Sequence, residues 1–485
     1  MRTFIDNIAK FITPKIFVYA GFLIYIAFFY KTTLQKSYYL GAIVASLPFI
    51  VIGVNLLLKR PLLSFIFLFI VNYFIMGITR YLHFQGGILM DAIILFCFIT
   101  LFLRTTYEKI GWNRAINPLT FITSFWLFFC VAELLNPIAV PIDEWAIKVR
   151  GMAVYPFLMV VLVSVLCRRY KDLKLILFIW SALTLLAVFK GYWQKNHGFD
   201  STELYWLYVD GGARTHIISS GVRYFSFFTD AGNYGSSMGF SMVVFSIVAF
   251  YIKNKWIKVY FFLVALAGGY GMAISGTRGA LAVPFAGYAI FVILSKNWKM
   301  ATTASILLAF AFIFLNFTTI GNNNGQISRM RSAFDKNDPS LNVRLENRKK
   351  IKSYMDDLPF GASIGFETNS TIKSESLYKL SRIPTDSWYV KVYVQTGIIG
   401  LTIYIFVLSA IILMGGYIIL FKIKNDELRG LLLAMLAGTF GMVASSYGNE
   451  LLAQFPNCFL FYTSLALVFM GKYYDKELEK HEQLT

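Results

Sequence analysis

The stretch WYVKVYVQTGIIGLTIYIFVLSAIILMGGYIILF, residues 388–421, carries one charged side chain, Lys391, in 34 residues. The hydrocarbon core of a membrane offers no water to bond the backbone N–H and C=O groups, so these groups must bond one another. The run is therefore predicted to be helical. A helix rises about 1.5 Å per residue and the bilayer core is about 30 Å thick, so this run exceeds one straight span. The step Gly397-Ile398-Ile399-Gly400 predicts a short first helix followed by the true span, which counts as one crossing.

Apolar runs of comparable kind recur along the whole chain. Hydrophobic residues make up 57% of the 485 residues, charged residues make up 15%, and the mean hydropathy is +0.61. We predict an all-α, polytopic integral membrane protein in which residues 1–485 form a single transmembrane domain of about 14 helices. The predicted spans are 14–30, 37–58, 61–79, 87–103, 116–135, 149–167, 173–192, 232–251, 256–275, 278–295, 300–319, 388–421, 430–447 and 455–473.

Basic residues on alternate short loops predict the orientation, because cytoplasmic loops of membrane proteins carry the excess of Lys and Arg. The even number of helices then places both termini in the cytoplasm. The basic N-terminal segment lacks a small-residue cleavage pattern and is predicted to remain as the first span. The basic residues on the alternate, predicted cytoplasmic loops are Lys59-Arg60, Arg104/Lys109/Arg114, Arg168-Arg169-Tyr170-Lys171, Lys253/Lys255/Lys258, Lys296/Lys299 and Lys422/Lys424/Arg429.

The net charge of +19 follows largely from this topology and from attraction to anionic membrane lipids, so we predict no nucleic-acid partner. The four cysteines lie in or beside apolar runs and are predicted to be buried thiols rather than disulfides or metal ligands. They are Cys97, Cys130, Cys167 and Cys458.

Arginines on the opposite side of the membrane need a separate explanation. That side carries two long loops, residues 193–231 and 320–387. The planar fork of arginine suits phosphate or carboxylate better than the point charge of lysine, which predicts an anionic ligand. The arginines on this side or at its boundary are Arg80, Arg150, Arg214, Arg223, Arg278, Arg329, Arg331, Arg344, Arg348 and Arg382.

Two motifs carry arginines near the first long loop and in the tight turn at 276–277. Arg278 lies in the tight turn Ser275-Gly276-Thr277-Arg278-Gly279, where it could snorkel to lipid headgroups or meet a ligand that approaches the glycine backbone. Arg223 precedes Asp230 and Asn233, either of which could simply cap the following helix.

The second long loop contains a predicted helix from Val343 to Asp357, capped by Asn342. Arg344 and Arg348 are four residues apart, so they share one helix face and could hold one anion or form a solvated surface. Asp386 stands directly before a membrane helix, where it could serve as a cap or as a general base.

Four ordered stretches resemble the bacterial O-antigen ligase and O-antigen polymerase superfamily, over roughly residues 130–445. They are Arg223 to Asn233, Ser275 to Gly279, Pro359-Phe360-Gly361-Ala362-Ser363-Ile364-Gly365, and Asp386 into Gly397-Ile398-Ile399-Gly400-Leu401. The resemblance implies transfer of a glycan from a polyprenyl-diphosphate donor to a lipid or saccharide acceptor. The reaction would take place at the periplasmic face of the bacterial inner membrane, in the biosynthesis of surface polysaccharide such as lipopolysaccharide.

Members of this family typically place a histidine where this chain has Asp386. Asp386 is the positional equivalent and therefore the first candidate for the base. Other candidates on the same side are His216, Glu203 and Asp230.

The implied chemistry has a diphosphate leaving group, which cationic donors would stabilise. Arg223 and Arg278 are assigned to it and Asp386 to the acceptor proton, in an inverting transfer. We find no Asp-x-Asp pair in the outer loops, so we predict no metal and no cofactor. The polyprenyl tail is expected in a lateral groove between helices. Further contacts to diphosphate or glycan are predicted from Arg150, Arg344, Arg348, Arg214 and His216.

Several alternatives stay open at the level of sequence. A ligase, a polymerase and a protein O-oligosaccharyltransferase need the same donor chemistry. A flippase for lipid-linked sugars belongs to another class, and it would place ionisable groups and broken helices near the middle of the membrane.

Overall fold

The computed structural model describes residues 38–484 except 139, 219–220, 324, 336–338 and 367–373, together with residues 21, 24–26 and 29–30. In these parts of the chain the two shortest elements are the strands β1 (Ile217–Ile218) and β2 (Gly221–Val222), which form an antiparallel pair. The helices are α1 Tyr38–Lys59, α2 Pro61–Leu82, α3 Gly86–Thr105, α4 Pro118–Ala132, α5 Ile142–Leu166, α6 Tyr170–His197, α7 Ser201–Tyr208, α8 Ala213–His216, α9 Ala231–Tyr251, α10 Lys255–Ile274, α11 Ala282–Leu294, α12 Trp298–Phe317, α13 Gly325–Arg331, α14 Pro339–Met355, α15 Glu375–Ser381, α16 Trp388–Phe421, α17 Asp426–Ser445, α18 Asn457–Phe469 and α19 Gly471–Leu484.

Ten helices among the described residues are long and apolar enough to cross a membrane, which confirms the all-α polytopic class. They are α2, α3, α5, α6, α9, α10, α12, α16, α17 and the segment Pro118–Leu135 that begins with α4. Three shorter apolar helices are Ala45–Lys59, Arg278–Leu294 and Asn457–Phe469. The predicted first span, 14–30, lies mostly outside the described residues, so the count of 14 stays a prediction.

Contacts divide the chain into two units. The first contains the residues up to 64 together with 100–108, and within it the hydroxyls of Ser64 and Thr100 are 3.1 Å apart. The second contains residues 65–99 and 109–485. In this second unit α9 packs against α10, α11 and α17, and every residue of α18 is buried. The four cysteines are buried and free, as predicted.

Asparagine and aspartate side chains fix where several membrane helices begin. An N-cap oxygen accepts a hydrogen bond from a backbone N–H that has no partner inside the helix. The side chain of Asp230 accepts from the N–H of Asn233 at the start of α9, which confirms the predicted cap. The same role falls to Asn117 for α4, Asn254 for α10, Asn297 for α12 and Asn425 for α17.

The long helix α16 bends at Gly397, as predicted. Gly397 has a φ of 66°, a left-handed conformation that favours glycine. The turn at Pro359 and Gly361 packs into the bend, where the carbonyl of Pro359 accepts from the N–H of Ile399 at 3.2 Å. A Cβ on Gly361 would lie 2.4 Å from the nitrogen of Gly397. Two of the motif stretches identified from sequence therefore pack directly against each other.

The helix in the second long loop begins earlier than expected. It starts at Pro339 rather than Val343, so Asn342 lies inside the helix and the predicted cap is wrong. Proline is favoured in the first helical turn because its fixed φ suits the helix and its missing N–H would have no partner there. The predicted shared face is confirmed, since Arg344 and Arg348 both contact residues 447–448.

We predict that Gly397→Ala destabilises the protein more than Gly416→Ala in the same helix. Alanine in the left-handed region costs about 1–2 kcal/mol, and its Cβ at Gly397 would collide with the Pro359 carbonyl. At Gly416 an added Cβ would meet only ordinary contacts at 3.5 Å or more. Thermal unfolding of the purified protein in detergent measures both. Equal melting temperatures for the two variants would contradict the close approach.

Candidate functional site

The candidate site lies at the end of the second unit where α9, α11 and α16 begin and where α10 and α17 end. Four arginines gather there, and we call them the arginine cluster: Arg223, Arg278, Arg329 and Arg344. Three of these were assigned from sequence to contact the substrate. The contacts described below show how short turns and loops bring them together.

Arg223 ties the first long loop to the tight turn after α10. Its Nη2 donates to the hydroxyl of Thr277 at 2.8 Å, and that hydroxyl donates to the carbonyl of Ala231 at 2.9 Å. Its Nη1 donates to the carbonyl of Thr215 at 2.8 Å. Among the residues that the structure describes, the buried Nε of Arg223 finds no hydrogen-bond partner. The guanidinium is therefore held by two of its five N–H donors, while its buried Nε makes no hydrogen bond to these residues.

The segment that follows α12 covers this turn. Arg329 on α13 donates through Nε to the carbonyl of Gly276, and Arg278 donates through Nη1 to the hydroxyl of Ser332 at 3.3 Å. A Cβ at Gly276 would lie 3.4 Å from Cδ of Arg329 and 3.5 Å from Cγ of Arg223. These are ordinary contact distances, so the φ of 57° at Gly276, rather than lack of space, favours glycine there.

The electrostatics of Arg223 reflect this crowding. Burial lowers the pKa of its guanidinium, Asp230 raises that pKa, and the positive charges of Arg344 and Arg278 lower it further. Arginines that act on one another in this way concentrate positive potential at one place. A bound anion would relieve their repulsion.

The loop after α17, residues 446–450, joins the arginine cluster to Asp386. Arg344 donates to the carbonyl of Gly448 at 3.3 Å, and its Nε lies 3.9 Å from a carboxylate oxygen of Asp386. Arg348 donates to the carbonyl of Tyr447 at 3.0 Å and stacks on its ring at 4.2 Å.

Asn449 was not identified from sequence. Its side chain lies where a Cβ on Gly232 or Gly279 would be, at 3.1 Å and 2.3 Å respectively. It therefore sits between the start of α9 and the turn that carries Arg278. An asparagine in a short loop carries no sequence signal of such a position, because the position depends on how three separate segments meet.

Asp386 does not cap α16, because Ser387 occupies the N-cap position. Its backbone has a φ of 51°, a conformation uncommon outside glycine that aspartate tolerates. Its side chain is 40% exposed and faces Arg344. Unusual backbone conformations are concentrated at functional sites, so this one marks Asp386 as a candidate.

The other candidates for the base are engaged elsewhere. His216 is 1% exposed, its Nε2 accepts from the N–H of Ala231 at 3.1 Å, and its Nδ1 lies 2.9 Å from the carbonyl of Gly212. Glu203 is also 1% exposed and pairs with Lys190 at 2.9 Å. Asp230 serves as the cap of α9.

Two further arginines assigned from sequence make different contacts. Arg150 pairs with Asp91, and Arg214 is exposed on α8. Arg80 was also predicted from sequence to lie on the side of the membrane opposite the cytoplasm. It is buried and donates to the carbonyl of Thr229 at 2.9 Å, with its guanidinium 4.4 Å from the ring centre of Trp206. Arg80 thus holds the loop that leads into α9.

A cavity of about 900 Å³ runs beside the site between α14, α16 and α17. Its lining is mostly apolar, from residues such as Ile405, Leu408 and Phe440, with two cations, Arg348 and Lys352, on α14. Ser387, next to Asp386, also lines it. The cavity therefore extends from the site along two membrane helices.

Residues 261–405 match the protein family described as O-antigen ligase, and no curated protein matches the chain. The matched region includes the turn with Arg278, the second long loop and the bend of α16. It confirms the resemblance to the O-antigen ligase and polymerase superfamily. Together with the membrane helices, it supports a membrane enzyme of glycan transfer.

We predict that stability falls as pH drops from 6.5 toward 4, in part through His216. Burial, with the positive charge of the nearby Arg223, lowers the pKa of His216 from 6.5 to about 4. Protonation of Nε2 would also end its hydrogen bond from the N–H of Ala231. The folded state therefore favours the neutral ring. Its contribution, up to roughly 3 kcal/mol, is complete above pH 6.5 and is lost as the pH falls toward 4.

The measurement is the melting temperature of the purified protein across this pH range. His216→Gln should flatten the pH dependence, whereas His197→Gln, at an exposed position, should leave it unchanged. Identical pH profiles for wild type and His216→Gln would contradict this role.

Proposed function

Because residues 261–405 match the O-antigen ligase family, we propose that this protein transfers a glycan from a polyprenyl-diphosphate carrier to a hydroxyl acceptor at the outer face of the inner membrane. The observation that carries the proposal is the gathering of Arg223, Arg278 and Arg344 next to the accessible carboxylate of Asp386. Arginines gathered from several segments suit a diphosphate, and an adjacent carboxylate suits a hydroxyl nucleophile.

The arginine cluster would stabilise the departing diphosphate. The acceptor oxygen forms a bond to the anomeric carbon while the bond from that carbon to the diphosphate oxygen breaks, and the electron pair leaves with the carrier diphosphate. Arg223 and Arg278 come from two different segments and would hold it from two sides. Guanidinium groups fixed before the reaction stabilise the charge that develops in the transition state.

Asp386 would accept the proton of the acceptor hydroxyl as the new bond forms. Arg344, at 3.9 Å, would orient its carboxylate. Attack on the face opposite the diphosphate inverts the anomeric configuration. Asp386 replaces the histidine typical of the family, and both side chains can accept a proton in this role.

The cavity along α16 and α17 would hold the polyprenyl tail. Its apolar lining matches an isoprenoid chain, while Arg348 and Lys352 lie where the tail would join the diphosphate. A lipid in this groove would bring its diphosphate to the arginine cluster from within the bilayer.

The site would face the periplasm, with both termini in the cytoplasm, as the distribution of basic loops predicts. Donor chemistry of this kind serves a ligase, a polymerase or a protein O-oligosaccharyltransferase. His216 would assist indirectly, since its ring accepts from the N–H of Ala231 at the start of α9 and its carbonyl accepts from the N–H of Arg223.

We predict that Arg278→Ala lowers kcat/KM for glycan transfer by at least about a hundredfold, the usual effect of removing one transition-state donor. Asp386→Asn should lower it by about 10²–10⁴-fold. The assay uses purified protein in nanodiscs, a polyprenyl-diphosphate oligosaccharide, and lipid and saccharide acceptors, with and without EDTA. Activity should be insensitive to EDTA, and the product size separates transfer of a finished chain from stepwise extension.

Arg382→Ala is the matched control, because Arg382 is an exposed arginine of the same long loop that stacks on Tyr378. It should retain activity close to wild type. Full activity of Asp386→Asn would overturn the assignment of the base while leaving the transfer reaction intact. Movement of the carrier across vesicles without glycan transfer would instead indicate a flippase.

A further inference from the structure

A second cavity, of about 250 Å³, lies on the other side of the loop that follows α17. Arg150, Lys391, Gln395, Glu450 and Gln454 line it with polar groups. This volume falls below the roughly 300–1,000 Å³ of sites for drug-sized ligands, so it fits a single small ring. We call it the polar pocket.

Two ion pairs account for most of the charge in the polar pocket. Arg150 bonds Asp91, which also accepts from the hydroxyl of Tyr155 at 2.6 Å, and Lys391 pairs with Glu450 at 2.8 Å. Lys148 also lines the pocket and adds one cation beyond these two pairs, fewer than a diphosphate needs. Neutral hydroxyl groups, in contrast, can both donate to the carboxylate and accept from the cation of each pair.

The backbone is shaped to place these groups. Helix α5 contains a π-helical turn at Arg150–Val154, a feature frequent at functional sites. A Cβ on Gly151 would lie 2.8 Å from the carbonyl of Ala453, so α5 can approach the loop this closely only with glycine there. The apolar side chains of Trp388 and Phe455 complete the lining. Polar edges combined with apolar faces suit a pyranose ring, which has hydroxyls at its edge and C–H groups on its faces.

Two hydrogen bonds connect the polar pocket to the candidate site. Glu450 accepts from the hydroxyl of Thr385, the residue before Asp386. Gln454 accepts from the side chain of Asn233 at 2.7 Å, and Asn233 is bonded to Asp230 at the start of α9. The pocket therefore borders both the proposed base and the segment next to the arginine cluster.

We infer that the polar pocket binds a sugar ring of the acceptor, which makes the acceptor a saccharide rather than a serine or threonine of a protein. This inference rests on the proposed function and specifies its second substrate. Glu450 in the wall of the pocket accepts from Thr385, so an acceptor ring held there would lie next to the segment that carries Asp386. The diphosphate of the donor occupies the arginine cluster on the opposite side of the loop.

The test compares two ion pairs altered in the same way. The double variant Arg150→Met/Asp91→Leu removes one ion pair of the polar pocket. The control, Lys379→Met/Glu375→Leu, removes an exposed ion pair on α15 in the second long loop, where the N–O distance is 2.7 Å. In the transfer assay the first variant should raise the KM for a saccharide acceptor by about tenfold or more, as expected for lost hydrogen bonds. Its KM for the donor should stay near wild type, and the control should change neither value.

Lys391→Met/Glu450→Leu alters the opposite wall and supplies a second test should the first variant fail to fold. A raised KM for the donor with an unchanged KM for the acceptor would overturn the inference, as would no change in either.

A direct binding measurement separates this inference from the proposed function. Saturation-transfer NMR of the wild-type protein in nanodiscs, with methyl glycosides of glucose, galactose, N-acetylglucosamine and glucuronic acid, should show contact with at least one sugar. The contact should disappear in Arg150→Met/Asp91→Leu and persist in the control. Binding without any glycan transfer would refute the proposed function and support the pocket, whereas transfer without sugar binding and with unchanged acceptor KM would refute the pocket alone.

Discussion

The hydroxyl of Thr277 joins the parts of the candidate site, because it accepts from Arg223 and donates to the carbonyl of Ala231. This one hydroxyl connects three segments: the end of the first long loop, the start of α9 and the turn after α10. Thr277 is 5% exposed, so these bonds form where water competes little. The positions of Arg223 and Arg278 depend on this link, and the second long loop then packs onto the turn through Arg329.

The arginines at this end of the protein differ in whether they act on one another. Arg80 and Arg150 have their charge or their donors engaged by carbonyls, aromatic rings or a carboxylate, and they shape the protein around them. Arg344 and Arg278 instead place positive charge near Arg223, and Arg344 also lies close to the carboxylate of Asp386. Concentrating like charges costs stability in the unliganded protein. Such an arrangement is favourable once an anionic substrate is bound.

Much of this architecture could be predicted from residues alone. The predicted span 232–251 corresponds to α9 at Ala231–Tyr251, because hydrophobic length and a capping aspartate define a membrane helix locally. The bend at Gly397 followed from the length of the run and its glycine step. Arg150 was assigned to the diphosphate, but its ion pair with Asp91 joins positions 59 residues apart, and one sequence cannot show such a pairing. The burial of His216 and the contacts of Arg329 and Asn449 depend in the same way on how separate loops fold together.

The segment between α17 and α18 directs Asn449 toward the arginine cluster and Glu450 and Gln454 toward the polar pocket. Under the proposed assignments, the donor diphosphate and the acceptor sugar would be recognised on opposite sides of this segment. Substitutions of Glu450 or Gln454 would then leave the arginine cluster unchanged, so related proteins could accept different saccharides with the same leaving-group chemistry. Differences among the surface glycans would then depend on a few side chains that line the polar pocket, whereas the helices that carry the donor site stay the same.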